Sequence, residues 1–133
     1  MRPICVDHMT LPVGDMERSL AFYRSPLVAG MGWVERDIEG LPSFGPEGAE
    51  DVSLASGGPL RPTIHLAFAA DDFAQVEGFH QEGLAAGGRD NGAPGPRLQY
   101  SPGYHGAFLL DPDGNNVEAV WHAPTGEGAD LPG

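Results

Sequence analysis

At 133 residues the chain has the length of one domain, enough to bury about two-thirds of its unfolded surface in a single core. Its 7 Lys+Arg against 19 Asp+Glu give a formal charge of -12, which repels nucleic-acid phosphates and anionic membranes at long range and excludes both as expected partners. No stretch reaches the roughly 20 apolar residues of a membrane span, and Met1-Arg2-Pro3 leads into an alternating segment rather than the apolar run of a signal peptide, so a soluble cytoplasmic protein is expected. The one cysteine, Cys5, cannot make an internal disulfide.

Residues 4–13 alternate as a strand, with Ile4, Val6, His8 and Thr10 on one face and Cys5, Asp7, Met9 and Leu11 on the other. Gly14-Asp15 offers an N-cap, and Met16, Leu20, Tyr23 and Leu27 recur at helical spacing over about three turns. Pro26 removes a backbone donor near the end, so the last turn is expected to be irregular. Three short strand candidates follow at 32–38, 41–44 and 51–55, separated by Gly and Pro turn residues.

The pattern then restarts. Residues 63–68 form a strand candidate carrying His65, and Asp71 and Asp72 can cap a helix with Phe73, Val76 and Phe79 on one side, ended by Gly87-Gly88. After a Gly/Pro-rich connection come strand candidates at 97–100, 104–110 and 115–122, the last two joined by the turn Asp111-Pro112-Asp113-Gly114, where Pro112 presets φ and Gly114 tolerates positive φ. The economical reading is a single α+β domain made of two βαβββ modules, about 3–58 and 61–123. The eight strands would curve into a cup with the two helices outside, and the tail 124–133, with little to bury, would be flexible.

Within the last strand Glu118 shares a face with Asn116, Val120 and His122, opposite Val117, Ala119 and Trp121. A carboxylate among apolar neighbours needs a cation, a donor or open water, because desolvating its charge costs several kcal/mol. Together with His8 and His65 it makes two imidazoles and a carboxylate, a set suited to a divalent transition metal with sites left open for substrate. By residue type alone the alternative stands beside it: hydrogen-bonded sheet histidines and a solvent-facing glutamate. Tyr104 and His105 are the candidate catalytic acid/base residues, with ordinary strand packing as their other reading. Thr10, Tyr100 and His122 are the candidate binding residues. His122 lies four residues beyond Glu118, about 13 Å along a strand, which suits the rim of a site rather than the same ion. Trp33 and Trp121 read as core.

The segments Asp7-His8-Met9-Thr10-Leu11, Asp15-Met16-Glu17-Arg18-Ser19-Leu20-Ala21-Phe22-Tyr23 and Phe108-Leu109-Leu110-Asp111-Pro112-Asp113-Gly114-Asn115-Asn116-Val117-Glu118 resemble the opening and closing signatures of the glyoxalase / bleomycin resistance protein / extradiol dioxygenase (vicinal oxygen chelate) superfamily. The resemblance spans nearly the whole chain. It implies paired βαβββ modules, a divalent metal such as Fe, Mn, Ni or Zn held by His8, His65 and Glu118, a small-molecule substrate, and commonly a homodimer whose cups can be shared between chains. Where glyoxalase I enzymes place a fourth ligand, a glutamate, this sequence offers Ser53, which argues against the lactoylglutathione lyase reaction. Two functional expectations follow. One is a metal-dependent lyase, transferase or dioxygenase-type enzyme acting on a bidentate oxygen substrate. The other is a metal-free module that sequesters a small compound, as bleomycin-resistance proteins do.

Overall fold

The computed structural model describes residues 5–125. Strand β1 (Met9–Val13) leads into α1 (Met16–Tyr23), a π-helical segment (Arg24–Gly30), and strands β2 (Val34–Ile38), β3 (Leu41–Gly45) and β4 (Val52–Ser56). Strand β5 (His65–Ala69), α2 (Phe73–Ala85), β6 (Arg89–Pro96), β7 (Tyr104–Leu110) and β8 (Asn116–His122) repeat the plan. The strands form two four-stranded sheets with the same wiring, β1-β4-β3-β2 and β5-β8-β7-β6. In each, the opening strand runs parallel to the closing one, Met9 opposite Val52 and His65 opposite Asn116, while the other neighbours are antiparallel. This is the two-module α+β vicinal oxygen chelate fold. One core joins the modules, with Leu11, Phe22, Leu27, Phe44 and Leu54 from the first and Phe68, Val76, Phe79, Leu109 and Val117 from the second.

The helices begin where their caps dictate. Asp15 accepts from the Arg18 amide, and Asp72 accepts from the Gln75 amide while the Gln75 side chain accepts from the Asp71 amide, a reciprocal cap. Beyond Tyr23 the chain continues in wider turns through Pro26, the irregular ending expected of a proline that withholds a donor. Gly87 at φ 93° lets the chain leave α2. The two helical segments meet at glycines: a Cβ on Gly78 would lie 2.2 Å from the Gly30 carbonyl oxygen, and one on Gly30 would lie 2.5 Å from that of Gly78. Gly78→Ala should therefore destabilise the protein although alanine is the better helix former. The propensity gain of about 1 kcal/mol is outweighed by an overpacking cost of about 1–3 kcal/mol, since backbone must move. Urea denaturation should show a lower midpoint at unchanged slope; an unchanged or raised midpoint would contradict the packing argument.

Two expected strands differ from the structure. The first begins at Met9, not residue 4, and Cys5–His8 lie outside it with Val6 exposed. The reason is its partner: the Met9 amide donates to the Asp51 carbonyl, but β4 starts at Val52 and the chain before it folds back through the Pro46–Ala49 turn, so no strand among the described residues pairs with residues 5–8. The sixth strand is Arg89–Pro96, in the stretch that reads as a Gly/Pro connection, while residues 98–100 form a turn. It lies at a sheet edge, and its register against β7 shifts between Asp90 and Gly92 and again between Gly92 and Gly95. Edge position and bulges tolerate the prolines and glycines that a central strand would not. Of the expected tail, residues beyond Thr125 lie outside the described ones.

The Asp111–Gly114 turn, with Gly114 at φ 88°, fixes the β7–β8 hairpin from within. The buried Asp111 carboxylate accepts from the Asp113 and Asn115 amides, the Asn115 side-chain amide and the Tyr23 hydroxyl, and Asn115 Oδ1 accepts from the Ile64 amide. Asp113 in turn accepts from the Gly14 amide. The hairpin is thereby tied to α1, to the entry of β5 and to the exit of β1. Burial, with the Asp111 carboxylate beside it, pushes the Tyr23 hydroxyl far above its ordinary range, so it stays a donor.

Candidate functional site

Register places the site residues of the second module on one open face. His65, Ala67 and Ala69 of β5 stand beside Asn116, Glu118 and Val120 of β8, and Phe108, Gly106 and Tyr104 of β7 complete the row, while Phe68, Val117, Ala119 and Leu109 point into the core. Glu118 is buried, 1% exposed, and lies directly opposite Phe108. Room for its carboxylate comes from Gly106, where a Cβ would lie 3.0 Å from Oε2. Both oxygens have partners. Oε1 lies 2.7 Å from His65 Nε2, and Oε2 accepts from the Tyr104 hydroxyl. The His65 side chain is 53% exposed, so the imidazole opens the buried carboxylate toward solvent. Burial first, and then the bond to Glu118, push the Tyr104 hydroxyl well above its ordinary range.

Around this pair runs an aromatic wall. The Tyr104 ring meets Tyr100 and His122 at centroid separations of 5.0 and 5.3 Å, and Phe108 lies 6.1 Å from the His65 ring. Next to it is a groove of about 260 Å³ lined by Asn91, Gly92, Arg97, Tyr100, Phe108 and Asn116.

The remaining candidates lie elsewhere. His8 is largely exposed, with Nδ1 2.7 Å from an Asp7 carboxylate oxygen that raises its pKa, and it shares a different groove of about 530 Å³ with Thr10, Glu50, Asp51 and Ser53 on the first sheet. Ser53 is engaged by the buried Ser43, their hydroxyl oxygens 2.6 Å apart. Among the described residues of one chain, no three His, Cys, Asp or Glu side chains converge to hold a metal. His105 points to the other side of β7, donating from Nδ1 to the Gly103 carbonyl and packing against Phe73 and Trp121, which removes it from the Glu118 face. Sequence reasoning missed Gly106, Phe108, Asn91 and Asn116 as site-forming residues. Alternation counted outward from the 111–114 turn would have found Gly106, Phe108 and Asn116, since all share the parity of Glu118.

An imidazole nitrogen and a buried carboxylate at hydrogen-bonding distance, one face open, are donors of the kind divalent transition metals take. Among the described residues, one chain brings these two donors together and no third. The fold defines a class: two βαβββ modules, each with a four-stranded sheet, the second carrying a buried glutamate and a histidine. The model of the Glyoxalase/Bleomycin resistance protein/Dioxygenase superfamily matches residues 6–119, and the chain belongs to that superfamily. No curated protein matches it. Among solved structures it is similar to a glyoxalase/bleomycin resistance protein from Albidiferax ferrireducens T118, at 26% identity and TM-score 0.65 over 87% of this chain and 97% of that one. The fosfomycin resistance protein FosX from Mesorhizobium loti (23%, TM-score 0.61, 90% and 93% covered) and a glyoxalase-related enzyme from Fulvimarina pelagi (20%, TM-score 0.60, 96% and 96%) share the fold. No helix among the described residues is long and apolar enough to cross a membrane.

Proposed function

We propose that the protein is a metal-dependent enzyme of this superfamily that acts on a small substrate through two of its oxygens. His65 and Glu118 of one protomer and His8 of a second copy would hold the ion in a homodimer. The observation that carries the reading is the buried Glu118 carboxylate, 2.7 Å from an imidazole that opens to solvent, with the third candidate ligand in a separate groove of the same chain. Bound there, a divalent ion would supply Lewis-acid polarisation of the substrate oxygens. The chain's own residues do the rest. Glu118 brings its buried carboxylate to the open face of the second sheet, and Tyr104 fixes the carboxylate's orientation from Oε2. With its one hydroxyl hydrogen committed to Glu118, Tyr104 acts on the substrate through the carboxylate it positions.

Protein purified without chelator should carry about one equivalent of Fe, Mn, Ni or Zn per site. His65→Ala and Glu118→Ala should each abolish it. One observation favours a second reading, a metal-free module that sequesters a small molecule: both Glu118 oxygens are already satisfied by His65 and Tyr104, so the carboxylate needs no ion to be stable in its burial. No metal uptake under metal-replete conditions would decide for that reading.

A further inference from the structure

Among the described residues Arg97 is the one cationic side chain lining the groove beside the His65–Glu118 pair, and its guanidinium is fixed without a counter-ion. Nη1 donates to the Gly95 and Pro96 carbonyls and Nη2 to that of Ala93, while the planar group lies 5.4 Å from the centre of the Phe108 ring. Its own amide is tied to the Tyr104 carbonyl, so the residue is held at both ends. Among the described residues Arg24 and Arg36 have a carboxylate partner, whereas the half-buried Arg97, like the exposed Arg18, Arg61 and Arg89, has none. Three neutral carbonyls orient a half-buried guanidinium but do not neutralise it, and in a chain of net charge -12 such a cation is an exception to the prevailing field. The groove in front of it adds amide groups from Asn91 and Asn116, held together at 3.2 Å, and the open backbone of Gly92. Tyr100 and Phe108 supply flat apolar walls.

We propose that Arg97 is a specificity-determining residue that binds a carboxylate on a small, flat organic substrate. The carboxylate sits in the Arg97–Asn91–Asn116 corner and the flat portion lies along Phe108 and Tyr100. Guanidinium and carboxylate match in planarity and hydrogen-bond spacing, and the acceptor carbonyls have already removed the freedom of the arginine that binding would otherwise cost. Phe108 lies beside His65 and across from Glu118, so a substrate anchored this way presents its remaining oxygens toward that pair. The inference rests on the proposed function only in taking this face as the substrate site; anchoring at Arg97 requires no ion.

The test uses the full chain freed of metal by chelator, with benzoate as probe and benzamide as its neutral isostere, titrated calorimetrically. Wild type should bind benzoate at least about tenfold more tightly than benzamide, a preference that shrinks as salt rises. Arg97→Gln should abolish the preference while leaving benzamide binding unchanged, and Arg97→Lys, which keeps the charge but loses the fork, should retain part of it. Should Arg97→Gln fail to fold, the salt dependence and Arg97→Lys decide the matter. Equal affinity for the two probes, no benzoate binding up to its solubility limit, or a preference that survives Arg97→Gln would each overturn the proposal. So would the finding that Arg97→Gln weakens self-association and leaves benzoate binding intact, because Arg97 would then pair with an acidic group of a second copy. Since no metal is present, the result is independent of whether His65 and Glu118 hold an ion.

Discussion

Mixing His8→Ala chains with Glu118→Ala chains is expected to restore metal binding that neither variant shows alone. In a two-fold dimer with shared cups, each site draws its first-module histidine from one protomer and its second-module pair from the other. A heterodimer of the two variants then contains one site with every ligand intact and one with two ligands missing. Random reassortment makes about half of the dimers heterodimers, each with one good site of two, so the ion content should recover to about a quarter of wild type. Separate grooves for His8 and for the His65–Glu118 pair motivate the experiment. A mixture that binds no more metal than its parents, while wild type binds fully, would mean that copies of this chain do not share the site.

Asp111→Ala should cost about 3–5 kcal/mol of folding stability, far more than its removal from a surface turn would. The carboxylate accepts four hydrogen bonds, and two of the donors, the Tyr23 hydroxyl at 2.5 Å and the Asn115 side-chain amide at 3.0 Å, are on residues 1% exposed. Losing the acceptor leaves both without a partner away from water, at about 1–3 kcal/mol each. The melting temperature should fall by about 10 °C or more. Tyr23→Phe should be much milder, since it removes one donor and leaves the carboxylate three. Chemical denaturation of both variants reads the difference; a loss below about 1 kcal/mol for Asp111→Ala would show that the turn is not the clamp it is taken for.

The module repeat was legible because hydrophobic alternation, helix caps and turn residues all agree along most of the chain. Asp15 and Asp72 cap as expected, and β7 occupies residues 104–110 as read from alternation. What escaped sequence reasoning depends on partners distant in the chain. The start of β1 is set by where β4 begins, and β6 is made a strand by β7 in spite of its composition. The same holds for chemistry. That Glu118 would be buried and need a partner follows from its strand neighbours, but that the partners are His65 and Tyr104 depends on sheet register. His105 alternates onto the core face, a placement that strand parity relative to Glu118 already contains once the hairpin register is fixed. Asp111 reads as turn chemistry in sequence; only the packing of α1 against the hairpin makes it a buried hub.

The irregular outer strand of the second sheet also governs how this protein behaves in crowded solution. Pro94 and Pro96 present no amide hydrogen, and the register breaks at Gly92 and Gly95 twist the border away from a straight ladder. An incoming extended segment finds no continuous row of donors there. The β2 edge of the first sheet, with Glu35, Arg36 and Asp37 in sequence, charges any strand that would dock there. The β2 and β6 edges, two of the four sheet edges, thus resist the strand-by-strand growth that leads to fibrils.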